Sequence, residues 1–380
     1  MNIDGKHHVA GYPPAPLEDW YRHHYFANEI DISGSGVEDY TFQDIQRIAG
    51  FSFGELDASQ LHDAPTVGGV AIRTRLASLF GTGDPDSVMV TNGANEGLQL
   101  VVRSVLKPGD ELITLGPCYH CHDKIAESMG VTVRKWALSV DGDFQLDVGA
   151  LASLVSADTK ALCLNFPHNP TGKSISQEML DDIVAIARDN DLYLIWDAVF
   201  QQLTYEQPPL QDPIHRYAKT ITLGTFSKAY GAPGLRFGWI IGPHDVIAAS
   251  VRQKDYGNLF VAPLIEFAAE KMLARLEAFS LPRLAQATAN RMAVDEWLGR
   301  DDIALAWRRP DGGVCGLVAL PAGAKDVEFC SGLLAKEGVL LVPGSCFGMP
   351  GHARLGFGGN GQKLVEGLAR LERFLGLHDG

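Results

Sequence analysis

The chain of 380 residues is 46% hydrophobic and 21% charged, which gives it material for a large core and a length that normally divides into two domains. A formal charge of -14 denies it the basic footprint that a nucleic-acid backbone requires, while an acidic surface favours solubility and, weakly, small cations. No run of about 18 apolar residues is present and the first eight residues form no apolar signal core, so a cytoplasmic protein without membrane contact is expected.

In chain order, Pro13-Pro14-Ala15-Pro16 leads into a short helix from Leu17 with Glu18 and Asp19 in its first turn. Asp31-Ile32-Ser33-Gly34-Ser35-Gly36-Val37-Glu38-Asp39-Tyr40 follows as a glycine and serine loop. Apolar residues recur at three- and four-residue steps over 68–80, a helix. Residues 87–90 read as a short strand that ends in Thr91-Asn92-Gly93-Ala94-Asn95. That glycine turn opens a helix whose free N–H groups suit an anion, although any helix start has the same look. A strand over 111–115 runs into Gly116-Pro117-Cys118-Tyr119, where an aromatic ring would either pack or face a flat π-system.

Residues 131–138, 161–166, 192–196 and 220–225 read as further buried strands, separated by helices such as 177–189. This alternation specifies an α/β fold, a mostly parallel sheet wrapped by helices, with ligands at the carboxyl ends of its strands. His168-Asn169-Pro170-Thr171-Gly172 is a tight turn after one of them. Asp197 ends another, strongly apolar one, and a buried carboxylate there is costly unless it meets a positive partner.

After the strand at 220–225 comes Thr225-Phe226-Ser227-Lys228-Ala229-Tyr230-Gly231-Ala232-Pro233-Gly234-Leu235-Arg236. A lysine amine condenses with carbonyls, and flanking hydroxyls with a guanidinium suit a phosphate dianion, so this stretch is a kit for a phosphorylated aldehyde; a solvated lysine is the ordinary alternative. A strand at 237–242 and a helical run over 262–297 then link to a smaller part with strands at 316–320 and 339–342, a segment carrying Arg354, and a terminal helix. The expected division is 1–45, an N-terminal segment packing with the small domain, 46–290, the large domain, and 291–380, the small domain.

Six cysteines, at 118, 121, 163, 315, 330 and 346, read as reduced thiols. Cys118-Tyr119-His120-Cys121-His122 fits the pattern of covalent haem attachment and could be drawn as a zinc site. Haem attachment needs export and zinc a second ligand pair; the sequence offers neither, and no metal is expected.

Taken together, these motifs resemble the fold-type I pyridoxal phosphate enzymes, in particular the class I/II aminotransferase family, over nearly the whole chain. The resemblance implies pyridoxal 5'-phosphate as cofactor, carried covalently on Lys228, with Thr225, Ser227, Arg236 and the amides of Gly93, Ala94 and Asn95 on its phosphate. It further implies that Tyr119 stacks on the ring, that Asn169 bonds its phenolic oxygen and that Asp197 pairs with its ring nitrogen. Arg354 would clamp the substrate carboxylate with Gly36 nearby, and the assembly would be a homodimer. Two departures stand out: Phe200 occupies the place of a tyrosine donor, and the tyrosine that reaches a partner's phosphate is missing, with His62-Asp63 near its place.

A narrower likeness lies at the N-terminus. Pro16-Leu17-Glu18-Asp19-Trp20, Tyr25-Phe26, residues 31–37 and Tyr40-Thr41-Phe42 resemble the capreomycidine synthases, cyclases that act on hydroxylated arginine in antibiotic pathways. That likeness implies Cα deprotonation of a β-hydroxylated arginine, loss of the hydroxyl as water and closure by a guanidine nitrogen. Glu38 and Asp39 are the candidates for holding the substrate's cation, the ordinary alternative being that both merely solvate the loop. An α-amino acid aminotransferase with a keto acid acceptor is the competing expectation.

Overall fold

The computed structural model describes residues 13–58, 60–139 and 143–376. Its main feature is a seven-stranded sheet in the spatial order Val88–Thr91, Gly238–Ile241, Thr220–Thr225, Tyr193–Asp197, Thr159–Asn165, Glu111–Gly116, Thr132–Ala137. Only Gly238–Ile241 runs antiparallel to its neighbours; the remaining pairs are parallel. Parallel strands need covered faces, and the central ones are apolar throughout: Leu194, Ile195 and Trp196 are fully buried, as are Leu162, Cys163 and Leu164. Helices such as Ala94–Val105 and Gln177–Asp189 supply that cover, the second with Ser176 capping the Met179 N–H.

The smaller part holds a four-stranded antiparallel sheet built from Ala306–Trp307, Cys315–Ala319, Val342–Pro343 and His352–Gly356. Helix Asp326–Glu337 packs on Val342–Pro343 and His352–Gly356, and helix Gly361–Phe374 packs on Asp326–Glu337. The N-terminal helix Pro16–His24 joins this part through the Trp20 indole, which donates to the Leu341 carbonyl at 3.0 Å. The strand Ile30–Asp31 pairs in parallel with Val339–Leu340. Among the described residues no helix is long and apolar enough to cross a membrane.

Two expected elements come apart. The strand expected over 339–342 divides at Leu341, its first half pairing with Ile30–Asp31 and its second with His352–Gly356. The run expected over 262–297 is two helices, Pro263–Leu273 and Leu276–Leu298. Arg275 between them leaves the helical region at φ -142, ψ 36, and its guanidinium comes to rest against Gly50. Helix Leu276–Leu298 is continuous through position 290, where the boundary between the two domains was expected.

Candidate active site

Asn165, Asp197 and Thr225 are the last residues of three adjacent parallel strands, and the register sets Asn165 opposite Asp197. A cavity of 630 Å³ opens above them. Its other walls are the first helix, the loop around Gly34 to Asp39, the turn at Asn95, and the segment from Arg354 to Asn360. One cavity therefore gathers residues from both ends of the chain, and of the fourteen candidate residues only Gly93 stays off its lining.

One corner is built for an anion. Gly93 precedes helix Ala94–Val105 at φ 89, and a Cβ there would lie 2.3 Å from Arg236 Nη2. Arg236 itself sits at φ 51, a left-handed conformation costing roughly 1–2 kcal/mol for a residue with a side chain. That conformation directs its guanidinium to Ser227 Oγ at 3.4 Å and to the Asn92 carbonyl at 3.4 Å. Thr225 Oγ1 lies 3.0 Å from Ser227 Oγ. Helix N–H groups, the Ser227 hydroxyl and a guanidinium in one place match a phosphate dianion, while the Thr225 hydroxyl donates to the Phe237 carbonyl at 2.8 Å, so the donor set fits the phosphate of pyridoxal phosphate.

At the cavity floor Asp197 Oδ2 lies 2.8 Å from His122 Nε2, while its Oδ1 accepts from the Val199 N–H at 3.2 Å. His122 is 2% exposed. It belongs to the cysteine and histidine cluster set aside in the sequence, where nothing linked it to Asp197. Cys118 approaches Lys135 at 3.0 Å, and burial pushes the Cys118 and Cys121 thiols up to about 11. The Tyr119 ring meets His122 edge-on at 5.9 Å, accepts from Asn95 Nδ2 at 2.9 Å and donates to Glu18 Oε1 at 3.3 Å. Asn165 Oδ1 is buried without a partner in the cavity floor. An anchored carboxylate below and a fixed aromatic ring beside it suit a protonated heterocycle.

Lys228 reaches into the middle, its amine donating to Ser35 Oγ at 3.0 Å and standing 5.8 Å from the Phe200 ring. Burial, then the Arg354 charge, bring this amine down to about 8. Phe200 is 3% exposed and brings no donor to the cavity.

Arg354 is 1% exposed, and three of its five N–H groups are committed. Nε donates to the Ser33 carbonyl at 3.0 Å, Nη1 to Asn169 Oδ1 at 3.1 Å and Nη2 to the Tyr21 hydroxyl at 2.7 Å. One N–H remains on each terminal nitrogen, a fork for a carboxylate. Because Asn169 Oδ1 is engaged by Arg354, the amide nitrogen of Asn169 is the end left to donate. Gly36 lines the cavity close to the Ser227 carbonyl, which a Cβ would meet at 3.3 Å.

Glu38 corrects the sequence expectation. Its carboxylate accepts from Arg283 Nη1 at 3.0 Å, Gln286 Nε2 at 2.7 Å and Asn360 Nδ2 at 3.2 Å. Burial opposes its ionisation, but these hydrogen bonds and the Arg283 charge outweigh that and hold the carboxyl low. It is thus occupied by its own chain. Asp39, also on the cavity wall, has no side-chain hydrogen bond or ion pair among the described residues, and the surrounding walls push its carboxyl up. Tyr21 and Ser35 were passed over in the sequence because their partners, Arg354 and Lys228, lie hundreds of residues away.

Comparison with known proteins agrees with this architecture. The family profile "Aminotransferase class I and II" matches residues 42–371. Capreomycidine synthase of Streptomyces vinaceus is 36% identical over 368 residues, 96% of this chain and 95% of that protein. Arginine–pyruvate transaminase of Pseudomonas aeruginosa is 30% identical over 334 residues, 83% of this chain and 82% of that one. The crystal structure of the PLP-dependent cyclase OrfR superposes with a TM-score of 0.91 at 33% identity, covering 98% of this chain and 100% of its own.

Proposed function

Given that the chain belongs to the class I and II aminotransferase family, fold-type I enzymes that use pyridoxal 5'-phosphate, we propose that it cyclises a β-hydroxylated arginine to capreomycidine or a hydroxylated capreomycidine. The carrying observation is Asp39, an uncommitted carboxylate on the cavity wall near Lys228. A guanidinium is the substrate group that such a carboxylate would take.

When bound, pyridoxal phosphate supplies an electron sink that acidifies the Cα–H of an amino acid. The chain's own groups do the rest. Gly93, Ala94, Asn95, Thr225, Ser227 and Arg236 hold the phosphate corner, and Lys228 is the amine that tethers the cofactor. Asp197, fixed from two sides, would pair with the ring nitrogen, and Tyr119 would bound the ring. Arg354 grips the substrate carboxylate through its two free N–H groups and turns the Asn169 amide nitrogen toward the cavity. The Lys228 amine, brought down by burial and the Arg354 charge, is the group placed to take the Cα proton as a general base. Asp39 would then hold the guanidine end so that one nitrogen approaches Cβ, with Glu38 bracing the loop through Arg283. We further propose a homodimer working in the cytoplasm.

An aminotransferase reading draws on the arginine–pyruvate transaminase likeness, and it differs in needing a keto acid acceptor. Purified protein is incubated with β-hydroxyarginine or arginine and no keto acid, and products are weighed by mass spectrometry. Loss of water with every nitrogen retained supports cyclisation. Turnover that appears only after a keto acid is added overturns it.

A further inference from the structure

We propose that Tyr21 is a catalytic residue, the acid that protonates the departing β-hydroxyl and the base that afterwards takes a proton from the adding guanidine nitrogen. This rests on the cyclase reading above and assigns a step that reading leaves open.

The placement follows from helix periodicity. In the helix Pro16–His24, Leu17 and Trp20 are buried in the core and the indole is tied to Leu341. Glu18 and Tyr21, one turn apart, line the cavity, as do one edge of Leu17 and Tyr25. The Tyr21 hydroxyl lies 2.7 Å from Arg354 Nη2. Any carboxylate held by that arginine comes alongside the phenol, and Cβ is only two bonds beyond the carboxyl carbon.

The phenol's proton has only distant hydrogen-bond acceptors. Its hydroxyl oxygen already accepts from Arg354, so its own proton must go elsewhere. The acceptors within reach among the described residues are the Ser33 carbonyl at 3.4 Å and Ser33 Oγ at 3.2 Å, both long for O–H···O bonds. Ser33 Oγ meanwhile gives its proton to Asp31 Oδ1 at 2.7 Å. Burial pushes the Tyr21 phenol up, which keeps it protonated until a strong base such as departing hydroxide presents itself, and the Arg354 charge steadies the phenolate that remains. Of the phenols on the cavity wall, Tyr21 is the one bonded to Arg354; Tyr119 donates to Glu18 Oε1 at 3.3 Å, and Tyr25, 44% exposed, has no hydroxyl hydrogen bond among the described residues.

The sequence balances without a co-reactant. Lys228 removes the Cα proton, the released pair forms the Cα–Cβ double bond as the Cβ–O bond breaks, and the Tyr21 proton leaves with hydroxide as water. A guanidine nitrogen then bonds to Cβ, its proton passes to the Tyr21 phenolate, and Lys228 returns a proton to Cα. Both side chains end as they began, and nothing is oxidised.

The test separates the two proton transfers in Y21F. Cα–H exchange of arginine in deuterated water, which needs no β-hydroxyl, is followed by NMR, and water loss from β-hydroxyarginine by product mass. Cofactor binding is checked by absorbance titration. Y21F is expected to bind cofactor as wild type does, to need more substrate for half-saturation because Arg354 loses a partner, and at saturation to lose water at least ~100-fold more slowly relative to its own exchange rate, the scale of general acid catalysis. A parallel fall in exchange and water loss marks a purely positioning role through Arg354 and overturns the proposal. Undiminished water loss in Y21F overturns it too, and leaves the cyclase reading standing. Wild type that exchanges Cα–H yet never releases water overturns the cyclase reading and this assignment with it. Should Y21F fail to fold, Tyr21→difluorotyrosine keeps size and hydroxyl and is expected to shift the alkaline limb of the water-loss profile to lower pH; an unmoved limb refutes the role.

Discussion

Replacing Gly93 with alanine perturbs the phosphate corner at its tightest point. The new methyl would sit 2.3 Å from Arg236 Nη2 and 3.1 Å from its Cζ, closer than any real contact, on a backbone at φ 89 and ψ 166 that is essentially reserved for glycine. Holding alanine in that conformation costs on the order of 1–3 kcal/mol. The flexible guanidinium is the part that yields, and it loses its aim at the phosphate. A hydrogen bond to a charged group contributes about 1.5–3 kcal/mol, so cofactor affinity is expected to fall roughly 10- to 150-fold. Apoprotein titrated with pyridoxal phosphate and followed by absorbance gives the dissociation constant directly. Gly234→Ala is the control, because its Cβ meets nothing within 4 Å in the same turn. If G93A binds within threefold of wild type while remaining folded, the close approach of Arg236 is not what shapes this corner.

Asp39→Asn is expected to raise KM for β-hydroxyarginine about 10- to 100-fold with kcat little changed, whereas Glu38→Ala, which loses bonds to Arg283, Gln286 and Asn360, is expected to act mainly on thermal stability; initial rates and melting curves distinguish them. The Lys228 amine, lowered to about 8, gains its neutral form as pH rises through that value. The rate at which apoprotein captures pyridoxal phosphate should therefore climb about tenfold per pH unit below 8 and level off above it, and stopped-flow absorbance reads the profile. A profile still climbing at pH 10 would mean that burial and Arg354 do not lower this amine.

What the sequence disclosed and what it concealed divide along one physical line. Hydrophobic runs ended by turns were enough to locate the strands of the large sheet, with Thr220–Thr225 and helix Gln177–Asp189 matching to the residue. Asp197 was readable because an acid that closes such a run has to be paired. Contacts made through space were not readable. His122 looked like part of a metal or haem motif until the helix Cys121–Glu127 turned its ring onto Asp197. Glu38 looked free because its partners lie on a helix 245 residues away and on the segment before the terminal helix. The split at Leu341 was equally hidden, since nothing local reveals that two halves of one apolar run pair with different sheets.

The proposed grip on the amino acid joins Tyr21 and Ser33, from the first tenth of the chain, to Arg354 in its last strand. The Gly93 turn and the Lys228 segment are joined across the sheet only through Gly238–Ile241, the strand between Val88–Thr91 and Thr220–Thr225. The proposed phosphate corner therefore needs the chain as far as residue 241, and the proposed carboxylate fork as far as 354, so the two halves of the site become available in that order along the chain.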